Sequence, residues 1–270
     1  MKKLIIIAFL IVCFQLNAQR NIDGLINAEK SFAAYSVEHG TKNAFLSFAD
    51  SNGIVFDQSK SANAIEVWNK RENQVSILNW KPQFAEIASS NNFGYTTGPW
   101  TFQRTINDRV IARGQYVTVW HISSDGEWKF VVDLGVGNTP KVERVNLNKI
   151  KAGKISGDPI TSEVLKAEQN FINVYKTDIF KAYTTYLSRN SILTRNGMLA
   201  PATSKKSQLE MIVHTPKEIQ FTITGSGIAA SGDMAFVYGN CLINNKPENF
   251  LHIWRKEKGG WKIALEVLRY

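Results

Sequence analysis

Apolar positions along this chain change period in the same order in each half. Leu25, Ala28, Phe32 and Tyr35 recur near the spacing of an amphipathic helix, and so do Leu165, Phe171, Val174 and Tyr175. Segments 44–49 and 179–187 predict a second, shorter helix in each half. Short strands follow at 54–56 and 192–194, and then a variable stretch that reads as helical. The period next shortens to two. Three or four strands close each half, with turns at Asp125-Gly126 and Gly259-Gly260 between the last pair. In the first half, Trp128, Phe130, Val132 and Leu134 alternate with Lys129, Val131 and Asp133. That pattern predicts one fully apolar strand face with Asp133 opposite it. Helices ahead of antiparallel strands indicate an α+β layer fold.

The parallel between the halves extends to the residues. Ala28-Glu29-Lys30-Ser31-Phe32 resembles Ala167-Glu168-Gln169-Asn170-Phe171. Ser90-Asn91-Asn92-Phe93-Gly94-Tyr95 matches Ser231-Gly232-Asp233-Met234-Ala235-Phe236. Tyr116-Val117-Thr118-Val119-Trp120, followed by Trp128-Lys129-Phe130, matches Phe250-Leu251-His252-Ile253-Trp254, followed by Trp261-Lys262-Ile263. Three blocks in one order at similar separations read as two copies of one domain. The predicted organisation is a signal peptide at 1–18, a first domain at 19–136, a Gly- and Pro-bearing linker at 137–160 and a second domain at 161–270.

The N-terminus changes the picture of location. Lys2 and Lys3 precede an apolar run at 4–14, then Gln15, Leu16, Asn17 and Ala18, the layout of a secretory signal peptide. The run is too short for a membrane span, and no second apolar stretch follows it. The expected location is therefore periplasmic or extracellular. Removing the leader takes the formal net charge from +9 to +7 and leaves Cys241 as the sole cysteine, so no intrachain disulfide is expected. The basic residues are scattered and no nucleic-acid-binding motif is present, so nucleic acid is not an expected partner.

The two helices, the Ser-Gly-Asp-Met-Ala-Phe-Val-Tyr-Gly strand at 231–239 and the paired tryptophan strands resemble the nuclear transport factor 2-like superfamily, in its SnoaL-like branch. The resemblance implies two tandem cone-shaped domains. Each would be a curved, mostly antiparallel sheet packed on N-terminal helices, with a pocket inside the cone. It also implies that any acid–base chemistry comes from an Asp, His or Tyr projecting into that cone. The superfamily includes isomerases, dehydratases and hydrolases as well as domains that only bind or assemble, so it fixes no activity.

The duplication sorts the candidates. Residues shared by both copies, such as Trp120 with Trp254 and Trp128 with Trp261, belong to the fold. Trp68, Trp80, Tyr95 and Trp100 occur only in the first copy, so Trp68, Tyr95 and Trp100, with Tyr35 on the first helix, are the candidate ligand-binding residues. Asp133 and His121 are the candidate catalytic residues, because a buried carboxyl or an imidazole can exchange protons near neutral pH. Gly225-Ser226-Gly227 fits a loose dinucleotide fingerprint but precedes a strand rather than a helix, so it reads as a turn. The four histidines lack metal-ligand spacing, and neither a metal nor a cofactor is expected. Three readings stay open: a binder of a small hydrophobic molecule in the first cone, a lyase-, isomerase- or hydrolase-type enzyme, and a structural module dimerising through its outer sheet faces.

Overall fold

The computed structural model describes residues 19–270 apart from 138, 139, 143, 199 and 200, so the expected signal peptide lies outside the described residues. Among the described residues no helix is long and apolar enough to cross a membrane. The N-terminal half runs α1 (Ile22–His39), α2 (Thr41–Phe48), β1 (Ala49–Asp57), β2 (Lys60–Asn63), α3 (Ala64–Lys70), β3 (Ile77–Trp80), β4 (Phe84–Ile87), β5 (Phe93–Gln103), β6 (Ala112–Ile122) and β7 (Trp128–Gly137). Within the stretch expected as linker, β8 (Asn148–Lys149) adds itself in parallel to β4. The C-terminal half runs α4 (Thr161–Tyr175), α5 (Ile179–Tyr186), β9 (Leu187–Arg195), α6 (Lys205–Val213), β10 (Ile219–Ile228), β11 (Met234–Ile243), β12 (Lys246–Glu257) and β13 (Gly260–Arg269).

Local chemistry sets the helix boundaries. The Asn21 side chain accepts from the Gly24 amide and caps α1, and Gly40, at φ 87°, turns the chain between α1 and α2. Leu25, Glu29, Phe32 and Ser36 are buried at helical spacing, and Val164, Glu168, Phe171 and Tyr175 repeat that stripe on α4.

One sheet has the order β2-β1-β7-β6-β5-β4-β8, with β3 also on β5, and the other has β10-β11-β12-β13-β9. In each, the strand that follows the second helix returns parallel to the last strand: β1 on β7, and β9 on β13. The helices cover one face of each sheet and close it into a cone.

The last strand of each half carries a bulge. Val119 pairs with Val132 but Trp120 pairs with Phe130, so Val131 has no partner opposite it. Ile253 pairs with Leu265 and Trp254 with Ile263, which leaves Ala264 in the same position. The extra residue swaps the faces of the strand. Before the bulge, Trp128 and Phe130 point into the cone. After it, Val132, Leu134 and Val136 point away from the helices, and Asp133 and Gly135 face the cone. The single apolar face expected for this strand is thus corrected to two half-faces, each serving a different core.

The outward half-faces meet. Val117, Val119, Val132 and Leu134 of the first sheet pack on Leu251, Ile253, Leu265 and Val267 of the second in one buried cluster. Phe93 stacks on Phe236 with ring centroids 6.2 Å apart and planes at 5°. A buried ion pair crosses this layer: Arg255 donates from Nε to Glu86 Oε1 at 2.6 Å and from Nη2 to Oε2. The Tyr95 hydroxyl donates to the same carboxylate at 3.0 Å. Backbone amides of Ser89 and Ser90 donate to Asp233 and Ser231 across the same boundary. These are the outer sheet faces expected to make a homodimer, and here they cover each other within one chain. That expectation is corrected, because the apolar surface needed for the contact is already buried.

Arg255→Met leaves Glu86 buried without its main counter-charge, which typically costs about 3–5 kcal/mol. Urea unfolding should therefore show a loss of about that size. A change below about 1 kcal/mol would mean that the pair is solvated and the two halves are not locked here.

Candidate functional site

Inside the N-terminal cone, Phe32 collects the surrounding aromatic rings. It meets Phe45, Trp80 and Phe130 at centroid distances of 4.9, 4.8 and 5.5 Å. Beside this cluster lies Glu29, fully buried on α1. It accepts from Trp80 Nε1 at 2.5 Å, from Trp120 Nε1 at 2.9 Å and from the Thr96 hydroxyl. Burial pushes its carboxyl up, against those three hydrogen bonds.

Next to it a cavity of about 500 Å³ is walled by Phe45, Leu78, Trp80, Trp100 and Val136. The Trp100 ring lies across β6 and β7, where Gly114 makes room for it: a Cβ there would fall 2.3 Å from the ring. Trp100 Nε1 donates to the Val136 carbonyl at 3.1 Å, which fixes the ring as a wall.

Two polar side chains of this half line the cavity. Asp133 accepts from Thr118 Oγ1 at 2.8 Å. It touches the cavity yet lies deep in the cone, and burial raises its carboxyl to about 7 against the Thr118 bond, with Glu29 adding to the rise. The second is Tyr116, whose hydroxyl is itself buried and, among the described residues, has no hydrogen-bond partner. Burial, and then the charge of Glu29, hold that phenol well above its usual range, so it stays protonated. An acid that changes charge near neutrality and an unpartnered phenolic donor, against apolar walls, can bind a polar atom on an apolar molecule and exchange a proton with it.

The C-terminal cone shows why the first one is open. By register, the cross-strand pair Tyr116–Gly135 corresponds to Phe250–Leu268, and Thr118–Asp133 corresponds to His252–Glu266. Asp57 and Arg195 both end the strand that follows the second helix. In the second cone these larger groups fill the interior. His252 bridges Glu168, at 2.9 Å from Nδ1, and Glu266, at 2.8 Å from Nε2. Glu266 also accepts from Arg195 and, at 2.9 Å, from the Tyr183 hydroxyl. Burial disfavours the imidazolium, but the two carboxylates more than offset this and raise His252 to about 9. Burial likewise opposes ionisation of Glu266, yet Arg195 and His252 bring it down to about 2. Two acids and two bases, all buried, neutralise one another.

The structure brings only some of the expected residues together. Asp133 and Trp100 line the cavity. Trp68 lines adjoining clefts instead, stacked on Phe45 at 4.4 Å with the Arg71 guanidinium 4.3 Å from its ring centroid. Three placements are corrected. His121 faces away from the cone at the sheet margin, where Nε2 meets Asp50 Oδ2 at 2.7 Å. Tyr95 sits between the halves, because its neighbours Gly94 and Thr96 take the cone side of β5. Tyr35 packs on His39 and Phe48 outside the cavity.

Sequence reasoning missed Tyr116 and the buried acids Glu29 and Glu168. The signal was present for the acids: both stand within an otherwise apolar helical stripe in matched blocks. It also missed Asn196 and Arg269, which reach the cavity from the C-terminal half and have no signal within their own strands.

A helix pair, a long antiparallel sheet and the parallel return of the first strand onto the last recur in each half. That arrangement is the cone-shaped α+β fold expected from the sequence. Nuclear transport factor 2 from Cryptosporidium parvum is similar at 17% identity over 43% of this chain and 98% of its own, with a TM-score of 0.36. A nuclear transport factor 2-like protein of unknown function from Shewanella oneidensis is similar at 15% identity over 42% of this chain and 96% of its own, with a TM-score of 0.34. A cystatin-like protein of unknown function from Nostoc punctiforme gives 14% identity, 42% and 94% coverage, and a TM-score of 0.34. No protein-family profile matches the chain, nor does any curated protein.

Both raised groups make stability fall as pH rises. The proton on folded Asp133 favours the native state up to its ordinary value of 3.8, and that contribution is lost through about 7. For His252 the contribution is complete below 6.5 and is lost through about 9. Chemical denaturation across pH should show Asp133→Asn flattening the lower limb and stabilising the protein by at least about 1 kcal/mol at pH 8. His252→Gln should remove the alkaline limb while lowering stability at pH 6. Limbs unchanged in the two variants would contradict these assignments.

Proposed function

We propose that the N-terminal cone binds a small, largely apolar molecule, holding one of its polar atoms against Asp133 and Tyr116. The observation that carries this reading is the cavity of about 500 Å³ whose aromatic walls adjoin a titrating carboxyl and a phenol with no partner among the described residues. That volume lies within the range of small-molecule sites, and few convergent polar groups among apolar walls is their usual composition. The basic and apolar leader at 1–18 supports an exported protein, one that meets its ligand outside the cytoplasm. Native mass spectrometry of the exported protein should detect a retained small molecule in a one-to-one complex. Loss of that mass in Gly135→Leu, which projects a side chain into the cavity, would place it there. Retention in that variant would rule the cavity out.

A second reading, acid–base catalysis, is favoured by the carboxyl of Asp133 standing at about 7. An ionised Asp133 takes a proton from a carbon beside a carbonyl, while Tyr116 donates to the carbonyl oxygen as negative charge gathers there. The proton then returns to the same or a neighbouring carbon, which is the chemistry of an isomerase. Incubating the captured molecule with the protein in deuterated water should place deuterium on such a carbon. Asp133→Asn should slow the exchange by about 100-fold or more. Binding with no deuterium uptake would leave a carrier rather than an enzyme.

A further inference from the structure

The cavity of the N-terminal cone is not built by that half alone. Its remaining wall comes from the C-terminal half, through Asn196 just beyond β9 and Arg269 at the end of β13. Alternation explains how they arrive. On β13, Glu266 and Leu268 point into the second cone, so Val267 and Arg269 point at the first half. Chain segments meet at the same place: the Gly197 amide donates to the Gly137 carbonyl at 2.9 Å, and the Gly137 amide donates to Asn196 Oδ1 at 2.8 Å. With Oδ1 engaged, what Asn196 has left to offer is its amide N–H groups.

Arg269 is partly buried and, among the described residues, its side chain has no ion-pair or hydrogen-bond partner. Glu248 feels its charge only through space, without contact. The guanidinium therefore brings its N–H donors to the cavity wall unused. It also lines a cleft of about 110 Å³ with Arg71 and Asp133, adjoining the cavity. Arg71 is held by Asp57 at 2.8 Å, so of the two guanidiniums only that of Arg269 has no acid in contact. A free planar guanidinium beside free amide N–H groups is a donor pair suited to a carboxylate.

We propose that the ligand is an apolar carboxylic acid. Its hydrocarbon body lies against Trp80, Trp100 and Leu78, and its carboxylate is bound by Arg269 with Asn196. This deepens the reading of the N-terminal cone as a binding site and rests on it. It also gives the C-terminal half a part in recognition. Its own cone is filled, and it supplies the charge that selects what the other cone accepts.

The test uses 2-naphthoate and its neutral isostere 2-naphthamide, with isothermal titration on the full exported chain. Wild type should bind 2-naphthoate more tightly than 2-naphthamide. Arg269→Gln should weaken 2-naphthoate about tenfold or more and leave 2-naphthamide within about twofold. Arg269 is the last residue of β13 and its side chain makes no hydrogen bond, so the variant keeps the fold, and Arg269→Lys should recover part of the preference. Equal binding of the two probes, or an equal loss of both in Arg269→Gln, overturns the carboxylate assignment. Gly135→Leu separates this failure from failure of the site itself. If 2-naphthamide binds wild type and is lost in that variant, the cavity stands whatever becomes of Arg269. Binding of neither probe to wild type, or binding of both that survives Gly135→Leu, overturns both readings. Gly137→Leu, whose Cβ meets open space, is the second blocking variant should Gly135→Leu misfold.

Discussion

Everything distinctive about this molecule passes through one unpaired residue in the last strand of each half, Val131 in β7 and Ala264 in β13. A regular strand shows one face to the cone and one to the outside along its whole length. The bulge breaks that rule. It lets Trp128 and Phe130 finish the aromatic core under the helices, and then lets Val132, Leu134 and Val136 join the layer between the halves. The same step turns Asp133 and Gly135 inward, and Glu266 and Leu268 with them in the second half. Without it, the apolar residues beyond the bulge would crowd the cone and Asp133 would enter the dry layer between the sheets.

That layer joins two cones that have diverged inside. Its apolar residues come from both sheets, and the Glu86–Arg255 pair at its edge is useful mainly for specificity. A buried charge left single is expensive, so the two sheets are held in the one alignment that pairs them. Within each cone, the same helix acid, Glu29 or Glu168, accepts the indole N–H of the same strand tryptophan, Trp120 or Trp254. This shared contact fixes the first helix over its sheet. Beyond it the interiors part. One is closed by a neutral network of four buried charged groups. The other has threonine in place of histidine, glycine in place of leucine and aspartate in place of arginine, and the smaller groups leave space. Natural sites commonly give up stability in this way, here by keeping a carboxyl where burial opposes its charge.

Much of this was legible in the residues. Helical spacing placed both helix pairs, turn chemistry placed the closing hairpins, and the matched blocks fall on elements with the same strand pairing in each half. Trp100 stands out because the second copy lacks it, and Asp133 because an acid on the last strand, opposite its apolar residues, can exchange protons inside a cone. Tyr95 was misplaced for a plain reason: a lone aromatic in a strand has two faces available, and parity along β5 relative to the helices is not written locally. His121 shares a strand side with Val117 and Val119, and that side turns away from the cone and ends at the sheet margin beside Asp50.

The sequence by itself determined the elements and their order, since periodicity and turn residues act over a few positions. Only the tertiary structure decided which cone is open and who lines it. A cavity is the difference between two sets of side chains brought together from distant parts of the chain. Its emptiness depends on Gly135 standing opposite Tyr116, where the other half sets Leu268 against Phe250. Its charge depends on Arg269 crossing from the other half. Neither relation is encoded in any single stretch, because strand register and the packing of the two sheets exist only once the whole chain has folded.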